Sequence, residues 1–302
     1  MIGHVPGVNV DEVVGGRCQH LTMGVFIGSE ALAAGKVTRN ELRRRYFRIC
    51  PNVYGPPHPT LRDRAEAAWL WSNRRGVVAG VAASALHHAR WVADDIPIEM
   101  LGRSTRPAAG VIVRNEVYAP DEVMTIHGIP VTTAARTLFD LGRHLPRDEA
   151  VARMDALLWC WQVAVDEVRP LIDRYPSARN IRRLKTALDL ADDGAESPRE
   201  TWLRLALTDA GMRPTRTQIP VFDEKGRIVA KVDMGWEDLK VGIQYDGRQH
   251  QTDRQRYIQD LKVNRALEQQ KWAMVRVIAE DRLSDTLARV ARTLEARRRS
   301  AA

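Results

Sequence analysis

Apolar and polar positions alternate in three stretches with different periods. In the first, residues 29–34 form an Ala-rich helical pattern that Gly35 breaks. Thr38-Arg39-Asn40-Glu41 then has the form of a capping box, in which Thr38 satisfies an orphan amide of the first turn and Glu41 reaches back. A second helix is predicted from there to about Arg45, and residues 46–55 read as strand, turn and short strand. Helix, turn, helix and hairpin in that order predict a winged helix-turn-helix.

The second stretch follows the Pro-rich residues 56–59. It predicts a helix at 61–72, strands at 96–101, 111–114 and 129–131, and helices at 134–141, 148–161 and 166–189. In the 134–141 helix, Thr133 is placed to start the element and Arg136 to pair with Asp140 one turn on. Residues 192–195, short, polar and Gly-containing, read as a linker. Beyond it, Ser197-Pro198-Arg199-Glu200 is a second capping box with proline at the first helical position, and Gly211 stops that helix. Apolar runs at 217–222, 228–236 and 239–246, a polar helix at 252–270, a strand at 273–278 and a helix at 282–298 complete an αβββαβα order.

The expected class is therefore multi-domain α/β. Residues 1–60 form the winged helix-turn-helix DNA-binding domain, 61–195 a mixed α/β and helical middle domain, and 196–302 the αβββαβα core. With 302 residues, 44% hydrophobic and 28% charged, wholesale disorder is excluded and two or three cores can be filled. The net charge of +8, with 39 of 46 basic residues Arg, changes the picture only when divided. It is +3 over 1–60, zero over 61–195 and +5 over 196–302, so a polyanionic partner is expected at the two ends. No apolar run reaches the ~18–20 residues of a membrane span, and the first residues lack the pattern of a secretory signal. Cys18, Cys50 and Cys160 give neither a disulfide framework nor a zinc pattern. A soluble cytoplasmic protein without a membrane partner is the expectation.

Two groups of residues carry candidate chemistry. Arg39, Arg43, Arg44, Arg45 and Arg48 lie on the second helix and into the hairpin, where guanidinium groups would meet phosphates or guanine edges of double-stranded DNA. A solvated charged helix face is the duller alternative. The second group lies on the hairpin of 228–246. A turn at Glu237-Asp238 would set Asp233 opposite Gly242, and alternation then places Gln244 and Asp246 on the same face as Asp233. Two carboxylates and an amide oxygen suit a hard divalent ion, Mg²⁺ or Mn²⁺, which would polarise a phosphodiester and activate water. His250 and Lys262 stand by as assisting groups, Arg248 as a phosphate contact, and Glu200 as a further ligand. The capping box equally accounts for Glu200, a helix cap for His250 and a turn for Asp246-Gly247.

Residues 197–282 resemble the PD-(D/E)XK superfamily, specifically a domain similar to very-short-patch-repair (Vsr) endonucleases. The resemblance rests on the Glu200 helix, Val232-Asp233-Met234, the Gly242 to His250 run, the helix at 260–267 and the strand beginning near Trp272. It implies a restriction-endonuclease-like core, with Asp233 and position 244 as metal ligands and Asp246 beside them. Position 244 is Gln where the family commonly has Glu, and no Lys follows two residues later. Residues 20–160 resemble proteins with an AbiEi-type antitoxin or regulator N-terminus, on Asn52-Val53-Tyr54, Ala83 to His87, Gly128 to Thr132 and Arg136 to Asp140. This implies a winged-helix DNA reader followed by a middle domain of unsettled role; a cognate toxin and a second copy of the chain are the candidate protein partners. The combined expectation is a DNA-binding protein with a metal-dependent endonuclease domain; the alternative is a non-enzymatic, antitoxin-like regulator with a degenerate nuclease domain.

Overall fold

The structure is a computed structural model. It describes residues 24–104, 106–160, 163–246 and 254–301. The first unit comprises β1 (Phe26–Ile27), α1 (Gly28–Ala33), α2 (Arg39–Arg45), β2 (Phe47–Cys50) and β3 (Val53–Gly55), with sheet order β1-β3-β2. Gly35, at φ +65°, turns the chain after α1, and both bonds of the Thr38/Glu41 capping box are made. Ala31, Val37 and Leu42 fill a small core against Phe26, Tyr46 and Tyr54. Asn52 sits at φ 63° in the hairpin turn, where its carbonyl and side-chain oxygen accept the amides of Gly28 and Ser29. The hairpin is thereby tied to the start of α1.

The middle unit opens with α3 (Leu61–Trp71), β4 (Val77–Ala79), α4 (Gly80–Leu86), β5 (Ile98–Leu101), β6 (Val111–Arg114), β7 (Val123–Ile126) and β8 (Ile129–Thr132). Its five-stranded sheet has the order β6-β5-β4-β8-β7. Four helices follow: α5 (Ala134–His144), α6 (Arg147–Cys160), α7 (Arg169–Arg174) and α8 (Ile181–Leu190), packed around Leu138, Phe139, Met154, Leu157 and Leu184. The single helix expected at 166–189 is broken. Pro176 cannot continue α7, and Asn180 at φ 65° redirects the chain into α8. β4 and α4 meet at Gly80, φ +59°, and β4 and β7 were not among the expected elements.

In the last unit, α9 (Pro198–Asp209), β9 (Arg216–Phe222), β10 (Ile228–Trp236), β11 (Val241–Asp246), α10 (Arg254–Gln269), β12 (Ala273–Ile278) and α11 (Leu283–Ala301) follow in αβββαβα order. The sheet runs β12-β11-β10-β9, with β11 and β12 parallel. Leu203 and Leu207 of α9 and Val290 and Leu294 of α11 join the core with Met234, Trp236, Val241 and Ile243, while Leu267 of α10 packs with Ile219, Val221 and Val232.

The β10–β11 register corrects the expected one. Gly235 faces Gly242 and Trp236 faces Val241, which sets Asp233 opposite Gln244 instead of Gly242. The connection spans residues 237–240 and ends with Lys240 in the left-handed region at φ 50°. A shift of two positions keeps the alternation, so Asp233, Gln244 and Asp246 still share a face.

Residues 192–195 are built into the structure. The amide of Asp192 donates to Asp155 of α6 at 2.8 Å, its carboxylate accepts from Thr217 at 2.6 Å, and Ala195 is buried. Asp155 also accepts from Thr201 and Arg204 of α9, both at 2.7 Å, and Arg204 donates to the Leu190 carbonyl. Leu205 enters the helical core of the middle unit while Leu203 and Leu207 enter the next sheet's core. One helix therefore serves two cores.

Candidate functional site

All five arginines of the α2 group are exposed. Arg45 lies 3.6 Å from Glu41 one turn back, whereas Arg39, Arg43, Arg44 and Arg48 have no ion-pair partner among the described residues. Leu42 is buried and anchors α2, which leaves Arg39 and Arg43, one turn apart, directed away from the core. Arg48 continues the cationic surface onto β2, opposite Tyr54. Arg248 and His250 lie outside the described residues.

On β10 and β11, Asp233 and Gln244 stand side by side. Gln244 donates its amide N–H to one oxygen of Asp233 at 2.7 Å, and the Tyr245 backbone N–H donates to the other at 2.7 Å. Burial pushes the Asp233 carboxyl up to about 7; the Tyr245 bond opposes this, and the nearby charges of Glu200, Asp246 and Glu196 add to it. Asp246 pairs with Arg276 at 3.1 Å, and Arg276 also reaches Asn264 of α10. Ser197 caps α9, but the Glu200 carboxylate reaches back to the Glu196 amide at 3.0 Å in place of the Ser197 amide that a capping box would use, and also accepts from Ser197 Oγ at 2.8 Å and Gln218 at 3.2 Å. Lys262 lies on the exposed side of α10 with no ion-pair partner among the described residues. The carboxylates are close enough to interact, and each already has protein donors.

The sequence pointed to only one pair of a larger buried network in the middle unit. Arg136, 1% exposed, holds Asp140 at 3.1 Å as expected, together with Glu122, the Val117 carbonyl at 3.2 Å and Glu116 at 3.6 Å. Arg174 and Tyr175 reach Glu122 at 2.6 Å, and Arg143 and His144 hold Glu116. Glu116, Asp140 and His144 lie close enough to ligate an ion, and both carboxylates are already paired with guanidinium groups of Arg136 and Arg143. Burial raises the Glu116 carboxyl, and hydrogen bonds and charge from His144 and Arg143 outweigh it, giving about 2 against an ordinary 4.5. Its stabilisation is thus fully present above the unfolded value and disappears as pH falls toward 2. Glu116→Gln is expected to lower stability at neutral pH by about 3 kcal/mol and to flatten the acid limb of urea-unfolding midpoints between pH 5 and 2. An unchanged acid limb would count against this coupling.

Comparison with known proteins places this network in a family context. Residues 70–190 match the AbiEi antitoxin C-terminal domain. The match runs from the end of α3 to the end of α8, so the AbiEi-like segment holds the five-stranded sheet, the four helices and the Arg136 network. Uncharacterized proteins from two strains of Mycobacterium tuberculosis are each 26% identical over 236 residues, covering 78% of this chain and 86% of theirs. No solved structure matches. Among the described residues, no helix is long and apolar enough to cross a membrane.

Proposed function

We propose that the protein is a DNA-binding regulator of the antitoxin type, in which α2 and the β2–β3 hairpin dock on duplex DNA as a winged helix-turn-helix. The observation that carries this reading is the set of four exposed arginines on α2 and β2 that have no acidic partner among the described residues. The AbiEi-like segment beside them adds the regulator context and makes a cognate toxin the second candidate partner. Fluorescence anisotropy on the DNA upstream of its own gene, at several salt concentrations, tests it. Arg39→Gln with Arg43→Gln is expected to weaken binding and to make the log K against log salt slope shallower by about 2, roughly 0.9 for each phosphate no longer neutralised. Unchanged affinity and slope would remove α2 from the interface.

In this reading, residues 196–302 form a Vsr-like unit that contributes DNA affinity without cutting. The resemblance implies Mg²⁺ at Asp233, Gln244 and Asp246, yet the described donor set does not fit it. Mg²⁺ demands oxygen ligands in near-octahedral order, whereas Gln244 turns its N–H toward Asp233, the backbone takes the other Asp233 oxygen, and Asp246 is held by Arg276. Supercoiled plasmid incubated with the purified protein and Mg²⁺ or Mn²⁺ is expected to remain intact. Nicking that disappears in Asp233→Asn would restore the metal-dependent endonuclease.

A further inference from the structure

A cavity of about 790 Å³ opens in the middle unit, away from α2 and from Asp233, where the turn after α3 enters β4 and the parallel strands β5 and β6 end. Its volume is that of a small-molecule site. Gly76 and Gly102 continue the β4–β5 ladder at its floor, and a Cβ built on Gly102 meets nothing nearer than the Gly76 Cα at 3.7 Å. Gly102 therefore presents bare backbone, while the Met100 side chain covers Gly76. Trp71 and Tyr118 supply aromatic surface to the walls, and Asn115 an amide.

Charge decides the kind of occupant. Arg75 and Arg103 line the opening, exposed and without ion-pair partners among the described residues. Their neighbours are already neutralised: Arg74 binds Glu30 of α1 through two bonds, at 3.0 and 2.8 Å, and Arg114 binds Glu99. Glu116, the one acidic residue of the lining, is occupied by Arg143 and His144. Among the described residues, two cations without ion-pair partners and no unpaired acid in the lining select a negatively charged ligand, and the aromatic walls select one with a flat ring.

We propose that this cavity binds a phosphorylated nucleoside, with the base against Trp71 or Tyr118 and the phosphate between Arg75 and Arg103. The same chemistry is presented by a free nucleotide and by the 5′ end of a nucleic-acid strand. Isothermal titration of the full-length protein with adenosine and guanosine mono- and triphosphates, with inorganic phosphate, and with a short 5′-phosphorylated DNA strand tests the assignment. Saturable nucleotide binding is expected, weakened about tenfold per arginine in Arg75→Gln with Arg103→Gln, and abolished by Gly102→Leu, whose side chain enters the cavity. If Gly102→Leu disturbs folding by circular dichroism, the two exposed arginines still decide the matter. Binding should persist in Arg39→Gln with Arg43→Gln, which separates this site from DNA docking by α2. Tighter binding of the strand than of mononucleotides would support the site with a strand end as its source. Absence of saturable binding, equal binding of inorganic phosphate, or indifference to the arginine substitutions would overturn it.

Discussion

Arg136→Ala is expected to remove about 3–5 kcal/mol of folding stability, read as a lower urea midpoint, because it strips the partner from buried carboxylates. Glu122 and Asp140 are 2% and 1% exposed, and both are held by the Arg136 guanidinium, Glu122 with Arg174 and Tyr175 besides. Desolvation already pushes the Asp140 carboxyl up to about 6, against the opposing charge of Arg136. Without that charge Asp140 is driven further toward its neutral form, while Glu122, in which burial is outweighed by hydrogen bonds from Tyr175, Arg174 and Arg136, loses one of the three donors that hold its carboxyl low. A carboxyl with a folded pKa above its unfolded one weighs against folding above that range, and protonation relieves the burden as pH falls. The deficit of the variant should accordingly be larger at pH 7 than at pH 5. Arg136→Met combined with Glu122→Gln and Asp140→Asn should recover part of the loss, since no ion is then left without its partner. A loss below about 1 kcal/mol for Arg136→Ala would put this cluster among ordinary surface ion pairs.

Arg204→Ala is expected to cost a similar amount, about 3–5 kcal/mol, with a different signature. Asp155 and Arg204 are 1% and 5% exposed, and their pair joins α6 to α9, the helix shared by two cores. Burial raises the Asp155 carboxyl to about 6, with Arg204 and the hydrogen bonds around it opposing the rise. Loss of Arg204 should turn one calorimetric transition into two, as the last unit separates from the middle one. Arg147→Ala supplies the contrast. Arg147 and Asp209 form a pair between the same two helices at 2.5 Å, but they are 40% and 51% exposed, so solvent screening leaves about 0–1 kcal/mol. Equal effects of the two substitutions would refute a buried ion pair as the link.

Local grammar made much of the secondary structure legible. Thr38 and Glu41 announced α2, Ser197 and Glu200 announced α9, and the strands at 111–114, 228–236 and 273–278 are bounded as the pattern gives them. The β10–β11 register was not legible because it depends on Lys240 taking a left-handed conformation, which a lysine does not advertise. The shared face survived because the error was an even number of residues. Asp233 stands in an otherwise apolar strand, where a buried carboxylate is costly without a partner, and its partners are the amide of Gln244 and a backbone N–H. The Arg136–Asp140 pair was legible from helical spacing. Glu122 and Arg174 were not, since 14 and 38 residues separate them from Arg136 and only the folded chain brings them together.

The double duty of α9 also sets an order of events at the ribosome. Residues 61–190 emerge first, with Asp155 lacking Arg204 and Thr201 and with the place of Leu205 open. Translation must run on to the end of α9 before the middle core can close, which at about 5–20 residues per second takes about 1–4 s beyond α8. During that interval the middle unit lacks Leu205 in its core and Asp155 lacks its two donors from α9.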